Sequence, residues 1–406
     1  MHQADIIFMI KAKDSASERV SMTGYGRSLA VISGGLPDRI PAYTPTIASD
    51  VASRILGRNA HTGGPALWWA EAAAWCNGPT AWQEFGCQIT EDIIDLHRAL
   101  GQDVIRFPWR NNIKPTAKIN DTTFLCGDPA GDHQIWYWDA QMMNFIPDRH
   151  PVEPQVEDWP AVARKAEKNV EQRIAEVRET IGVPEASLQA RLGDTMLVLG
   201  GGAVGLSLGV DEAHLLATAL EPEAVSDILD CDLAVSIAAV KAMAGRGIKA
   251  VLGGGDMADK NGPMYSPEMF RHFMLPRWKK LADCCRELGL HYVWRSDGNL
   301  WKVADMLFRE AAMPGFGEVD FDAAMTTARL RVEYPDLVLW ANLSGDLLCR
   351  GTAEDSYRHS MQLLEVSRGR RYFHGCSNTI LPGSPVENVH AMMQARDDFS
   401  RQLSKL

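Results

Sequence analysis

The side chains best suited to chemistry lie at the ends of three apolar segments in the C-terminal half of the chain. The stretch "HYVWRSDGN" ends with Arg295 and Asp297, "GFGEVD" contains Glu318, and "RRYFHGCSN" contains His374 and Cys376. A thiolate beside carboxylates can bind a zinc ion that keeps an open position, where it acts as a Lewis acid. Without a metal, Arg295 would hold an anion and Asp297 would act as an acid or a base.

Strand alternation predicts which of these side chains share a face. It places Arg295 and Asp297 together, where ionised groups are costly unless they are paired or used. An ion pair that closes the top of a barrel is therefore the alternative to a functional role. Alternation also places His374 and Cys376 together, and we expect Cys376 to reach the same rim as Asp297 and Glu318. Taken alone, His374 is more often a satisfied core histidine than a ligand.

Strands alternate with helices over much of the chain, which is typical of parallel βαβ units. Two of the helical stretches, "SPEMFRHFMLPRWKKLADCCREL" and "TAEDSYRHSMQLLEVSRG", each begin at a Ser or Thr cap before acidic residues. Apolar runs occupy 195–202, 248–258, 290–298, 315–320, 337–345 and 370–378, and two more candidates occupy 39–48 and 103–111. Eight strands predict an α/β fold of the (β/α)8 TIM barrel type, whose active sites lie at the C-terminal ends of the strands. Asp297, Glu318 and Cys376 would then follow strands five, six and eight.

Residues 112–190 interrupt this rhythm. The stretch "AKINDTTFLCGDPAGDHQIWYWDA" alternates like a hairpin, and the segment after it has the charge pattern of an exposed helix. We interpret 112–190 as an insertion after strand two, and residues 1–406 as a single barrel domain.

Composition and charge narrow the classes of function. The chain has 41 basic and 52 acidic residues, a net charge of −11, and its basic residues are scattered. Nucleic acid and membranes are therefore disfavoured as partners. The N-terminal segment lacks the pattern of a signal peptide, and the 8 cysteines show no C-x-x-C spacing, so we expect a cytoplasmic protein with reduced thiols.

Several longer segments resemble the uroporphyrinogen decarboxylase superfamily, in particular its corrinoid methyltransferase and demethylase branch. They are "ERVSMTGYGRSLAVISGGLPDRIP", "GGDMADKNGPMYSPEMFRHFMLPRWKKL", "RSDGN", "WANLSGDLLCRGTAEDS" and "CSNTILPGSPVENVHAMMQA". The resemblance covers most of the chain and implies an eight-stranded barrel. The arginine-rich N-terminal loop of the true decarboxylases has no match in "PAYTPTIASDVASRILG".

The resemblance also implies a zinc site. The thiol-methylating members bind zinc through His-x-Cys-Gly after strand five and a cysteine after strand eight. Cys376 falls on the last of these positions, whereas Arg295-Ser296-Asp297-Gly298 replaces the first motif. A zinc site in this chain would therefore consist of Cys376 and Asp297, with Glu318 or His374 completing the set.

The resulting expectation is a methyltransferase or demethylase component. It would move a methyl group between a small methylated substrate and a corrinoid carried by a partner protein, with Arg295 and Asp297 as catalytic residues. The alternatives are a decarboxylase or lyase without metal and a non-catalytic ligand-binding barrel. Relatives commonly dimerise, so a homodimer is expected. The residues taken as candidates for substrate binding are Tyr265, Asn299, Asn342 and His374.

Overall fold

The computed structural model describes residues 21–148, 158–202 and 204–403. The strands are β1 (Thr46–Ile47), β2 (Val104–Ile105), β3 (Ala117–Asn120), β4 (Thr123–Gly127), β5 (His133–Asp139), β6 (Asn144–Pro147), β7 (Leu197–Gly200), β8 (Ala250–Gly254), β9 (Ala258–Asp259), β10 (Gly262–Pro263), β11 (His291–Arg295), β12 (Gly315–Gly317), β13 (Val338–Trp340), β14 (Tyr372–Phe373) and β15 (Thr379–Ile380).

The helices surround these strands. They are α1 (Gly24–Ile32), α2 (Ser49–Leu56), α3 (Gly64–Cys76), α4 (Pro79–Ala99), α5 (Trp159–Thr180), α6 (Val183–Leu192), α7 (Glu212–Leu220), α8 (Pro222–Gly245), α9 (Pro267–Met269), α10 (Leu275–Glu287), α11 (Thr327–Glu333), α12 (Gly345–Arg350), α13 (Ala353–Ser367) and α14 (Val386–Leu403), with π-helical segments at Phe270–Met274 and Met306–Glu310.

Seven parallel strands form one curved sheet in the order β2-β7-β8-β11-β12-β13-β14. The segment around Ala42 joins its two edges. Ala42 forms a parallel bridge with His374 on one side, and its carbonyl accepts a hydrogen bond from the Asp103 amide on the other. The closed ring contains all eight of the segments proposed from the sequence, so the (β/α)8 barrel is confirmed.

The inside of the barrel is a packed apolar core. Trp340 and Phe373 stack with their ring centroids 3.7 Å apart, and His291 stacks on the other side of Trp340. Alternation along each strand explains this arrangement. Side chains such as Trp340 and Phe373 point into the barrel, and the residues on either side of them point to the helix layer. Helix α1 lies at the N-terminal end of the barrel, where the Tyr25 amide donates to the Thr195 carbonyl. The packed core fills the barrel interior, so a site built on this barrel must lie outside it, as at the C-terminal ends of the strands.

The caps predicted for two outer helices are present. The Ser266 hydroxyl accepts from the Met269 amide at the start of α9, and Thr352 and Asp355 form a capping box at the start of α13. Pro276 lies in the first turn of α10 and has no N–H to donate to the preceding turn. A π-helical segment precedes it, which is a common form of helix disruption.

The insertion differs from the hairpin that the sequence suggested. Strands β3 to β6 form a four-stranded antiparallel sheet, and one face of it packs on α3 through Phe124 and Phe145. A two-stranded hairpin is marginally stable alone, whereas four strands with one apolar face can fold against a helix. The helix predicted after it is α5, and it packs along α8.

Candidate active site

The floor of the site is an ion pair between strands β11 and β12. Arg295 is the last residue of β11, and its Nη1 donates to Glu318 Oε2 at 2.7 Å. Glu318 follows β12 directly and has a left-handed backbone with φ of 59°. That conformation is uncommon for a residue with a side chain and often occurs at functional sites. It places a carboxylate that is only 2% exposed beside the guanidinium.

Two further carboxylates lie beside this pair. Asp256 accepts from Arg295 Nη1 at 3.3 Å, and Asp297 accepts from the Asn378 side-chain amide at 2.7 Å. One carboxylate oxygen from each of Asp256, Asp297 and Glu318 lies within 4.8 Å of the other two. A single arginine thus faces three carboxylates.

The turn that carries Asp297 depends on a glycine. Gly298 has φ of +86°, and a Cβ at this position would lie 2.4 Å from the Ala258 carbonyl oxygen. The turn passes this close to the β9 segment because residue 298 has no side chain. The Gly298 amide also donates to Asp320 at 3.1 Å, which fixes the direction in which Asp297 leaves the strand.

Burial and neighbouring negative charges make Glu318 and Asp297 weaker acids than usual. Burial raises the pKa of Glu318 to about 7, with Arg295 opposing the rise and Asp297 adding to it. Burial also raises the pKa of Asp297 to about 6, and the charges of Asp256 and Asp320 contribute to that rise. Each group can therefore hold a proton near neutral pH and release it to a bound molecule.

A cavity of about 530 Å³ opens above this floor. Arg295, Glu318 and Asp256 line its base, together with Asn378. The other lining residues come from α3, from the strands β1 and β15, from the loops that follow β2 and β15, and from the β5–β6 turn: Thr46, Gly64, Pro65, Trp68, Trp109, Met142, Met143, Asn144, Thr379, Leu381 and Pro382. This volume is in the range of small-molecule sites.

Two residues that line the cavity carry buried polar atoms without a hydrogen-bond partner among the described residues, namely Thr46 Oγ1 and Glu318 Oε1. Such atoms also occur elsewhere in the protein, for example in Tyr43 and Arg106. Buried polar groups are normally hydrogen-bonded. A polar ligand in the cavity would supply partners for Thr46 and Glu318.

Cys376 is fully buried and is not grouped with the carboxylates, which corrects the expectation that it reaches the open rim, although Asp297 and Glu318 are near enough for their charges to act on its thiol. Phe373 fills the barrel interior, so alternation directs Tyr372 and His374 outward, and Cys376 packs in the helix layer against neighbours that include Met392. Burial raises the pKa of the Cys376 thiol to about 12. The thiol is therefore a small buried hydrophobe.

The residues proposed for substrate binding do not line the cavity. The His374 ring is fully buried, with Nδ1 3.4 Å from the Tyr372 hydroxyl, and burial lowers its pKa to about 3. The Asn342 amide is used by Thr327 and by the Val319 carbonyl. These side chains hold the structure together, as a core histidine and a core asparagine do.

Tyr265 and Asn299 are also engaged within the protein. The Tyr265 hydroxyl donates to the Gly209 carbonyl, and the Asn299 side chain accepts from the Trp301 amide. The Tyr265 contact joins two loops that are distant in sequence, whereas the Asn299 contact is local to its own turn. Tyr265 and Asn299 were proposed for substrate binding because they stand beside the motifs in the sequence. Their side chains instead bond within the protein.

Sequence reasoning missed Asn378, which lines the cavity, and Arg106, whose guanidinium lies against the lining residue Trp109. Arg106 follows a two-residue strand in "DVIRFPWRN", and an arginine at the C-terminal end of a barrel strand was the signal that could have identified it. Trp68 lines the cavity and donates to the Trp109 carbonyl at 3.0 Å, whereas Trp69 stacks on Trp138 of the inserted sheet.

The donors at this site do not fit the zinc site that the resemblance implied. Among the described residues, Cys376 is not grouped with the carboxylates. The three grouped side chains all offer carboxylate oxygens, which suit harder ions than the zinc of a sulfur site. Arg295 donates hydrogen bonds to two of them.

Comparisons with known proteins relate this geometry to a family. A family model described as uroporphyrinogen decarboxylase (URO-D) matches residues 151–399, more than half of the chain. A curated uroporphyrinogen decarboxylase from Dichelobacter nodosus (strain VCS1703A) is 26% identical over 133 residues, which is 33% of this chain and 37% of that protein. The alignment thus spans little more than a third of the curated relative.

A solved structure agrees over nearly the whole chain. A methyltransferase from Methanosarcina mazei superposes with a TM-score of 0.61 over 93% of this chain and 99% of its own, at 20% sequence identity. At this level of identity the similarity establishes the fold.

Proposed function

The chain belongs to the uroporphyrinogen decarboxylase family, and we propose that it is a methyltransferase or demethylase component acting on a small methylated compound. In this proposal the substrate occupies the cavity at the barrel mouth. Its methyl group passes to a corrinoid that a partner protein carries. The structural relative from Methanosarcina mazei, which is named a methyltransferase, is consistent with this proposal.

One observation supports the chemistry above all others, namely the proton-holding Glu318 at the base of the cavity. When a methyl group leaves an oxygen, nitrogen or sulfur atom, that atom keeps the electron pair of the broken bond. A protonated carboxyl beside it supplies the proton that makes it a good leaving group. With its pKa raised to about 7, Glu318 carries that proton through much of the neutral range.

The surrounding residues give this acid its position. Arg295 holds Oε2, whereas Oε1 has no partner among the described residues and is available to the substrate. Asp297, whose pKa is raised to about 6, lies close enough for its negative charge to favour the protonated form of Glu318. The apolar walls around Trp68 and Trp109 exclude water from the bond that breaks.

The corrinoid would bring a reduced cobalt centre that accepts the methyl group. The cavity has the size of a small substrate. The corrinoid, bound to its partner protein, would therefore approach the opening of the cavity from outside. The inserted sheet, α3 and the loop after β15 surround that opening and would form the docking rim.

A decarboxylase or lyase is the second candidate. The family description favours it, and a protonated Glu318 could equally deliver a proton to carbon after carbon dioxide leaves. Release of carbon dioxide from carboxylated pyrroles would support this candidate. A protein that only binds its ligand would turn over neither class of compound.

The decisive test is methyl transfer to free cob(I)alamin, followed by the change in its absorbance. Methoxylated aromatics, methylamines and methyl thiols serve as donors. We expect methylation of the corrinoid with at least one class, and inactivity with all three would exclude the methyl-transfer proposal. The absorbance of the corrinoid in protein-free mixtures provides the baseline.

A further inference from the structure

Arg106 is a buried arginine without an acidic partner. It is 5% exposed and follows β2 at the C-terminal end of the barrel. The other two equally buried arginines are paired, Arg277 with Asp230 at 2.9 Å and Arg396 with Asp397 at 2.7 Å. Within the described ranges, Arg106 forms no such ion pair. A buried charge is expensive unless something compensates it.

The groups that surround Arg106 compensate its charge only in part. Nη1 is 3.5 Å from the Pro45 carbonyl oxygen, and Nε has no hydrogen-bond partner among the described residues. Tyr43 acts on Arg106, but burial raises the pKa of Tyr43 to about 12, so its phenol is neutral. Glu318 acts on Arg106 only at longer range, because its contact is with Arg295.

Arg106 also borders the cavity. Its guanidinium lies 3.9 Å from the centroid of the Trp109 ring, and Trp109 forms part of the cavity wall. Arg295 lies 5.0 Å from the same ring. Thr46, whose hydroxyl also lacks a partner, follows Pro45 and lines the cavity too. Arg106 is not itself a lining residue, but its guanidinium lies against a wall residue of the site where a substrate would bind.

We propose that Arg106 binds a carboxylate of the substrate, with the Thr46 hydroxyl as a second donor. Guanidinium and carboxylate match in geometry and in charge, and an anion there supplies what the protein leaves unpaired. Since Asp256, Asp297 and Glu318 lie at the same base, a monoanion is favoured over a phosphate dianion. The substrate class is a carboxylic acid with an apolar body, because Trp68, Pro65 and Met143 form the walls.

This inference rests on the proposed function only in placing the substrate in this cavity. It adds that the methylated compound is a carboxylate, for example a methoxylated aromatic acid. A binding measurement needs neither corrinoid nor turnover. Failure of carboxylate recognition and failure of methyl transfer are therefore separate results.

The experiment compares benzoate with benzamide, which has the same shape and no charge, by calorimetric titration of the full chain. We expect wild-type protein to bind benzoate at least about tenfold more tightly than benzamide. In Arg106→Gln the affinity for benzoate should fall about 10- to 100-fold, the range for a lost charge-assisted hydrogen bond. Benzamide binding should not change, and Arg106→Lys should restore part of the difference.

Arg350→Gln is the matched control, because Arg350 is exposed, pairs with Asp346 and does not line the cavity. It should bind both compounds as wild type does, and circular dichroism should show every variant folded. The proposal is overturned if wild type binds no benzoate at millimolar concentrations, or does not distinguish it from benzamide. It is equally overturned if Arg106→Gln keeps the preference or if phenyl phosphate binds more tightly than benzoate.

Discussion

Glu318 combines three features that each cost free energy. Its backbone is left-handed, its carboxylate is almost fully buried, and Oε1 has no hydrogen-bond partner within the described residues. Strain and unsatisfied polarity of this kind cluster where a site is organised for binding or catalysis. Packing alone would favour an apolar residue at the end of β12, so a function at this position explains the carboxylate.

The raised pKa of Glu318 predicts how stability depends on pH. Its ordinary pKa is 4.5 and its folded-state pKa is about 7, so between these values the folded protein holds a proton that the unfolded chain has released. The free energy of unfolding must then fall as pH rises through this window. Glu318→Gln removes that titration, so the stability of the variant relative to wild type should improve by on the order of 3 kcal/mol from pH 4.5 to above 7.

Urea unfolding of both proteins at a series of pH values measures this difference. Glu310→Gln serves as the control, because Glu310 also pairs with an arginine but at the exposed surface. Its stability relative to wild type should not improve as pH rises above 4.5. A constant difference between Glu318→Gln and wild type across the window would mean that Glu318 titrates normally.

Cys376 is expected to be chemically inert in the folded protein. Its thiol is buried with a pKa raised to about 12, whereas Cys87 is exposed. N-ethylmaleimide should therefore label Cys87 within minutes and leave Cys376 unmodified, as read by peptide mass spectrometry. Cys376→Ala should cost roughly 1 kcal/mol of stability and leave the metal content of the purified protein unchanged. Loss of stoichiometric zinc in this variant would restore the cysteine to a metal site.

At this scale the sequence predicted part of the site. Arg295, Asp297 and Glu318 converge as strand order required. The inward face of β14 could not be assigned from the sequence, because alternation shows only that every second residue shares a face. Phe373 faces inward because it stacks on Trp340. The unpaired state of Arg106 is a property of its surroundings, so composition and spacing could not reveal it.

The inserted sheet forms one wall of the site. Its β5–β6 turn brings Met142 and Met143 to the cavity, although Met142 is 63% exposed there. Apolar side chains left in solvent beside a cavity gain contacts when a substrate enters. We therefore expect the double change Met142→Ser and Met143→Ser to raise KM about tenfold, equivalent to ~1.4 kcal/mol of lost burial, with a smaller effect on kcat.

The matched control is Ala130→Ser in the β4–β5 turn, at the opposite end of strand β5. It changes the same sheet away from the cavity and should leave KM unaltered. If the methionine variant also has a normal KM, the sheet does not touch the substrate and serves another purpose, such as docking a partner.

Most elements followed from local sequence patterns. The eight barrel segments and the caps of α9 and α13 were predicted because periodicity and capping chemistry act within a few residues. The four-stranded insertion was underestimated as a hairpin. Its last strand β6 is recognisable only through pairing with β5 and packing of Phe145 on α3, both of which depend on the fold.

The whole molecule is an acidic barrel of the uroporphyrinogen decarboxylase family. Within the described residues, a cavity with a polar base lies at the C-terminal ends of its strands. No helix in the described part of the chain is long and apolar enough to cross a bilayer. The corrinoid-bearing partner and the homodimer remain predictions. The partner and the homodimer concern the outer surface of the barrel. The proposed chemistry depends on Glu318, which a single chain supplies.

The pH dependence of methyl transfer to cob(I)alamin, compared between wild type and Glu318→Gln, tests the central claim most directly. If protonated Glu318 serves the leaving atom, the wild-type rate falls as pH rises above about 7, and the variant loses about 100- to 10,000-fold in kcat and that pH dependence. Glu310→Gln should behave as wild type. A Glu318→Gln protein with wild-type kcat and an unchanged pH profile would contradict the account.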